Sequence, residues 1–166
     1  ETVEGVASTR SHLILTVYRN VRASVAIYSY GNGGWTAAPL PLVDNASIQI
    51  VATSEHGDEA FVDVAGYTLP NTLYLADVAA RKAEPVKSQP PRFDASRTIV
   101  EQLEAPSSDG TAIPYFVVRS GEIDGPAPTL LYGYGGFENS YTPGHSPVMG
   151  RLWLARGGTY SLANIR

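Results

Sequence analysis

The sequence has no cysteine, a single methionine and three histidines among 166 residues. The missing cysteine excludes disulfide scaffolds, thiolate zinc sites and a cysteine nucleophile in this chain. It suits cytosol and periplasm alike; the cytoplasm is the expected compartment, with the periplasm as the alternative. His12, His56 and His145 are scattered without ligand spacing, which argues against a metal centre. No cofactor is expected. Positive charge is also scarce: twelve Lys and Arg against sixteen Asp and Glu leave −4 at pH 7. No basic stripe is available to neutralise phosphates, so nucleic acid is not an expected partner. No apolar run approaches the roughly 18 residues that span a bilayer, so no membrane partner is expected either. Glu1-Thr-Val-Glu-Gly5 lacks the basic and apolar regions of a signal peptide and has no initiator methionine. The chain is expected to be an internal piece of something longer.

What the sequence does contain is 43% hydrophobic residues, enough for a core. Up to about residue 90 it reads as short strands punctuated by turns. Leu13–Tyr18 and Ser24–Tyr30 are rich in β-branched and aromatic residues. Gly31-Asn-Gly-Gly34 is a turn cluster, and Ile48–Thr53 and Ala60–Ala65 alternate apolar with polar. The stretch also repeats itself. Sliding by about 48 residues lays Leu13–Arg19 on Phe61–Gly66, Val25–Tyr30 on Leu73–Val78, and Trp35–Leu40 on Glu84–Ser88. A period of 40 to 50 residues with three or four strands per unit is the signature of propeller blades. A sandwich or meander fragment with accidental similarity is the alternative.

At Gln89-Pro-Pro-Arg-Phe93 the composition changes to a linker that cannot continue a ladder. Thr98–Glu104 and Tyr115–Arg119 flank Ser107-Ser-Asp-Gly110 and predict an antiparallel hairpin turning at Asp109-Gly110. Thr129–Tyr132 is apolar throughout and predicts a strand buried on both faces. Ser146 followed by Pro147 has the chemistry of a helix N-cap and first turn. A helix over Pro147–Ala155 is expected, stopped by Gly157-Gly158, with a strand at Thr159–Ile165. Strand, helix and strand make a βαβ unit with parallel strands. The chain then ends at Arg166, directly after an apparent core strand.

Few residues could carry chemistry. Tyr132-Gly-Tyr-Gly-Gly-Phe137 follows the apolar strand, at the end where open α/β sheets place their sites. Its glycines allow close backbone approach, and its aromatics offer a donor and an apolar wall. It fails as a dinucleotide fingerprint, because Glu138 stands where the third glycine should be. A purely structural glycine turn accounts for the composition equally well. Ser146 lacks the second glycine of a nucleophile elbow and reads as a helix cap. His145 reads as an exposed loop histidine, and Asp58 and Asp109 as turn formers.

These residues resemble a known family. Pro128–Phe137, then Arg151-Leu-Trp153 to Gly157-Gly158, then Ala163-Asn-Ile-Arg166, look like the start of the catalytic domain of prolyl oligopeptidases. Val100–Val118 is similar to the hairpin that opens their hydrolase domain, and the repeat resembles their last two blades. The resemblance implies residues 1–92 as C-terminal blades of a seven-bladed β-propeller. Residues 93–166 would be the first strands and helix of an α/β-hydrolase domain, both domains being incomplete. It implies a serine endopeptidase that cuts short peptides after proline, with its Ser/Asp/His triad outside this chain and this fragment inactive alone. Its partners would be proline-containing peptides and the remainder of its own catalytic domain. Two functional residues carry over: Tyr134 as an oxyanion-hole donor, and Phe137 as a wall of the proline pocket. The Gly136-Phe137 pair favours the prolyl branch over the oligopeptidases that cleave after basic residues. A non-catalytic propeller–hairpin fragment that at most binds peptides, or a related oligopeptidase of different specificity, stands as the alternative.

Overall fold

Two four-stranded antiparallel sheets open the computed structural model, which describes residues 1–123, 125–138 and 140–165. The first contains β1 (Thr2–Ser8), β2 (His12–Arg19), β3 (Arg22–Gly31) and β4 (Gly34–Leu40). The second contains β5 (Ala46–Thr53), β6 (Glu59–Gly66), β7 (Thr72–Asp77) and β8 (Lys82–Ser88). Every strand pairs with its sequence neighbour, and β4 and β8 start at Gly34 and Lys82, the offset of about 48 that the repeat predicts. The tip between β3 and β4 places Asn32 (φ 53°) and Gly33 (φ 80°) in the left-handed region. That is the turn chemistry whose twist matches the flanking strands.

Alternation decides which side chains enter the core. On β3, Ala23, Val25 and Ile27 are buried while Ser24 faces out; on β6, Ala60, Val62 and Val64 are buried while Phe61 faces out. With Ile14 and Ile48 they form one apolar layer between the two sheets. Asp58 locks the same junction. It stands directly before β6, but its carboxylate accepts from Thr9 Oγ1 (2.7 Å) and the Ser11 N–H (2.9 Å) of the β1–β2 turn and from His12 Nδ1 (3.0 Å) of β2. Sequence reading takes it for a turn former only, because partners more than 40 positions away leave no local trace.

A third sheet follows, built from β9 (Thr98–Pro106), β10 (Ala112–Ser120), β11 (Thr129–Gly133) and β12 (Thr159–Ala163) in the order β11-β12-β10-β9. The expected hairpin joins β9 to β10: Gly110 is left-handed (φ 84°), and the Ser107 N–H donates to the Thr111 carbonyl at 2.8 Å. Strands β11 and β12 are parallel and connected through helix α1 (Pro147–Leu152), as the βαβ pattern requires. Ser146 caps that helix, its Oγ accepting from the Met149 N–H at 3.3 Å. The helix stops three residues earlier than expected. Trp153 leaves helical geometry, and a 3-10 turn spans Leu154–Arg156. The indole explains the break: it packs against Gly158 and donates from Nε1 to the Thr159 carbonyl at 2.7 Å.

One expectation fails outright. Thr129–Gly133 is exposed along its whole length, not buried on both faces. Strand β11 lies at the sheet edge with β12 on one side only, and helix α1 is too short to cover its apolar side chains. The core of this sheet lies elsewhere, around Phe116, Val118, Leu154 and Leu162. Tyr67, from the segment after β6, enters this core with its ring 5.3 Å from Phe116 and so anchors the third sheet to the second. The β2–β3 turn docks on it as well. Val21 is left-handed (φ 59°), which a β-branched residue rarely tolerates, and it packs against the same core.

Candidate active site

Strand β11 delivers its loop at the carboxyl end of a parallel pair, where each new peptide points out of the sheet. Gly133 packs closely on β12 and Ile165. A Cβ there would come within 3.4 Å of the Ala163 carbonyl and 3.6 Å of Ile165. Tyr134 follows, 36% exposed. Its hydroxyl stands over Gly136, where a Cβ would lie 2.9 Å from the phenolic oxygen. Any side chain at 136 would therefore push against the hydroxyl, which makes no hydrogen bond to a described residue. Among the described residues the phenol is a donor without a partner, at the mouth of the sheet.

Phe137 stands at the next position in a different state. It is 95% exposed, with left-handed backbone (φ 59°, ψ 29°). A bulky residue costs about 1–3 kcal/mol in a disfavoured backbone region, and here no packing offsets that cost. An aromatic ring in water on a strained backbone is the pattern of a binding residue. Phe137 and Tyr134 share the loop, but among the described residues their rings do not touch.

The structure brings Tyr141 to Tyr134, and Tyr132 to Tyr141. Tyr141 meets Tyr134 edge-on at 6.1 Å and 90°, and meets Tyr132 at 5.4 Å and 85°. The Tyr132 and Tyr141 hydroxyls are 3.1 Å apart. That bond, followed by desolvation, raises the Tyr141 pKa from its ordinary value. The Tyr141 N–H donates to Asn164 Oδ1 at 2.7 Å, and the Asn164 N–H to the Pro114 carbonyl at 3.1 Å. Sequence reading did not single out Tyr141 for a role. Seven positions separate it from Tyr134, and no periodicity links them.

His145 also departs from expectation. It is half-buried and stacked on Phe93 at 5.3 Å and 9°, and both ring nitrogens are buried without a partner among the described residues. Phe93 in turn covers Gly150 of helix α1. A cavity of about 270 Å³ lies beside it, lined by Tyr67, Tyr141, His145, Met149, Tyr160 and Leu162. Ser146, as a helix cap, is committed to its backbone bond. Among the described residues, no three acidic or histidine side chains are grouped as metal ligands, and no helix is long and apolar enough to cross a membrane.

The chain is similar to known proteins along its whole length. Residues 1–89 match the family model described as prolyl oligopeptidase, N-terminal beta-propeller domain. The whole chain is similar to a peptidase of Sinorhizobium fredii, y4nA, with 40% identity over 168 residues and 23% of that relative covered. It is 33% identical to the prolyl endopeptidase of Elizabethkingia miricola over 110 residues, covering 65% of this chain and 16% of that one. Among solved structures, a post-proline cleaving enzyme from Rickettsia typhi superposes with a TM-score of 0.81 at 32% identity. That match covers 99% of this chain and 24% of the other. The chain thus spans about a quarter of the length of the proteins it matches along its whole length.

Proposed function

Since the chain belongs to the prolyl oligopeptidase family, we propose that it forms part of a serine endopeptidase that hydrolyses short peptides on the carboxyl side of proline. In this reading residues 1–92 are propeller blades, and residues 93–166 begin the α/β-hydrolase domain. The nucleophile, its histidine and its aspartate lie outside residues 1–166. Strand β11, apolar and exposed at the sheet edge, is where the remainder of that domain pairs. The observation that carries the proposal is the Tyr134 hydroxyl, which stands over Gly136 at the carboxyl end of β11 with no partner among the described residues.

Acyl transfer from a peptide carbonyl to a serine places negative charge on the carbonyl oxygen in the tetrahedral transition state. Donors already aimed at that oxygen stabilise the charge without reorganising at the moment of reaction. Tyr134 supplies such a donor, and among the described residues its hydroxyl has no hydrogen-bond partner. Phe137 supplies an apolar face for the proline ring, whose lack of an N–H leaves shape and apolar contact as its main handles. The residues present give orientation and charge stabilisation; the bond-making groups come from the rest of the chain.

A fluorophosphonate, which reacts covalently with activated serines, tests this reading on the full-length protein. Labelling is expected on one serine beyond residue 166, and none is expected when the 166-residue chain is treated alone. A labelled serine inside residues 1–166, or an unlabelled full-length protein with peptidase activity, contradicts the proposal.

A further inference from the structure

We infer that Tyr141 is a positioning residue that fixes the Tyr134 ring, so that the transition-state donor is aimed by a tyrosine seven positions away. The inference rests on the reading of Tyr134 as an oxyanion donor, and it concerns what holds that donor still.

A tyrosine between glycines has few neighbours to restrain it. Gly133, Gly135 and Gly136 carry no side chains, and Tyr134 is 36% exposed. Left to itself, the ring would sample several rotamers. A donor that points correctly for only part of the time loses the same fraction of its effect. Among the described residues, the Tyr134 ring is restrained by the Gly136 backbone under its hydroxyl and by the edge of Tyr141, at 6.1 Å and 90°. That perpendicular arrangement is the favoured geometry of an aromatic pair.

Tyr141 is itself pinned from several sides, as an aiming device must be. Asn164 Oδ1 holds its N–H at 2.7 Å, and Asn164 is anchored to the Pro114 carbonyl of β10. The Tyr132 hydroxyl holds its phenol at 3.1 Å, and the Tyr132 ring lies perpendicular to it at 5.4 Å. The next residue, Thr142, lies against the hydroxyl of Tyr18, which also faces the backbone of Ile48. The loop that carries Tyr141 is therefore held to the third sheet on one side and to the first two sheets on the other. Tyr134 itself makes none of these bonds. The precision of the donor is borrowed from Tyr141.

The ring edge and the hydroxyl of Tyr141 can be separated by substitution. Tyr141→Phe keeps the edge and deletes the bond to Tyr132, whereas Tyr141→Leu deletes both. In the full-length enzyme with a fluorogenic Gly-Pro peptide, Tyr141→Leu is expected to lower kcat about three- to tenfold, the scale of one lost aromatic pair. KM is expected to stay within about twofold, because the donor acts mainly in the transition state. Tyr141→Phe restores kcat to within about twofold of wild type.

The decisive arm is the double variant. If Tyr141 acts through the Tyr134 hydroxyl, Tyr141→Leu costs less than about twofold in kcat once Tyr134 is already phenylalanine. An equal loss of kcat in both backgrounds shows a merely structural role and overturns the inference. So does a Tyr141→Leu variant with wild-type kcat, or a Tyr141→Phe variant as impaired as the leucine one. Tyr141→Met, unbranched and apolar, takes the place of the leucine variant if that one does not fold, with the same expected losses. If Tyr134→Phe alone retains kcat within about threefold, the donor reading fails and this inference falls with it. If Tyr134→Phe is impaired and Tyr141→Leu is not, the inference about Tyr141 fails alone.

Discussion

Replacing Asp58 by asparagine keeps the shape of the side chain and removes its charge, which isolates what the carboxylate does between the first two sheets. One oxygen accepts from Thr9 Oγ1 at 2.7 Å, Ser11 N–H at 2.9 Å and His12 Nδ1 at 3.0 Å, while the Arg10 guanidinium stands 3.8 Å from the other. The Asp58 side chain is only 12% exposed, so little water is at hand to replace these partners. Hydrogen bonds to a charged group are worth about 1.5–3 kcal/mol each, and an amide oxygen retains weaker versions of them. A loss of about 2 kcal/mol in local stability is expected for Asp58→Asn. Asp58→Ala costs more, because the Thr9 hydroxyl and Ser11 N–H then face no acceptor. The bonds from His12 and Thr9 hold the Asp58 carboxyl well below the usual carboxylate range. A lowered folded pKa means the stabilisation is complete above the unfolded value of about 4. It is lost as pH falls through the folded value. Hydrogen exchange on the full-length protein is the appropriate assay, since the effect is local and a multidomain chain does not unfold in two states. Protection of the Arg10 and Val78 amides, which donate to the Gly57 and Asp58 carbonyls, is expected to drop about 30-fold in Asp58→Asn at pH 7, the equivalent of that loss. Wild type begins to lose this protection as pH falls below about 4 and goes on losing it towards the lower folded value, and the asparagine variant shows no such decline. Unchanged protection in the variant at pH 7 refutes the reasoning.

Two further substitutions probe the site and the helix beside it. Phe137→Ala in the full-length enzyme should lower kcat/KM for proline-containing peptides by about 1–3 kcal/mol, the value of an apolar contact in a specificity pocket. Because the ring is 95% exposed, the thermal midpoint should not fall, and a variant with full kcat/KM removes Phe137 from the site. Gly150→Ala sets two effects against each other. Helix propensity gains up to about 1 kcal/mol, but the new Cβ would run into the Phe93 ring. Overpacking costs about 1–3 kcal/mol, so net destabilisation in thermal unfolding is expected, and a more stable variant would show that Phe93 can move aside.

Much of this architecture is legible in local chemistry. The Asn32-Gly33 tip, the Asp109-Gly110 hairpin and the Ser146-Pro147 cap each depend on residues within a few positions of one another, and each forms where expected; the repeat is legible because the same strand pattern recurs about 48 residues on. The misreadings share a different cause. The apolar run at Thr129–Tyr132 records what a strand is made of, not whether anything covers it, and β11 lies uncovered at an edge. Helix α1 ends early because Trp153 is drawn to Gly158 and Thr159, which periodicity does not register. His145 and Asp58 are defined by partners 52 and 46 to 49 positions away. At the site, Tyr134 and Phe137 stand out because glycines flank them. Tyr141 and Asn164 come to the loop only through the βαβ crossover, and nothing near them in sequence marks it.

Tyr134→Phe in the full-length enzyme is the sharpest probe of a transition-state donor on the loop after β11. The substitution keeps the ring, its edge contact with Tyr141 and its place over Gly136, and deletes one hydroxyl. Steady-state kinetics on a proline-containing peptide should show kcat reduced by roughly 10²–10³, as for loss of one oxyanion donor, with KM little changed. A kcat within about threefold of wild type, under roughly 0.7 kcal/mol of transition-state stabilisation, contradicts the claim and leaves Tyr134 a structural residue.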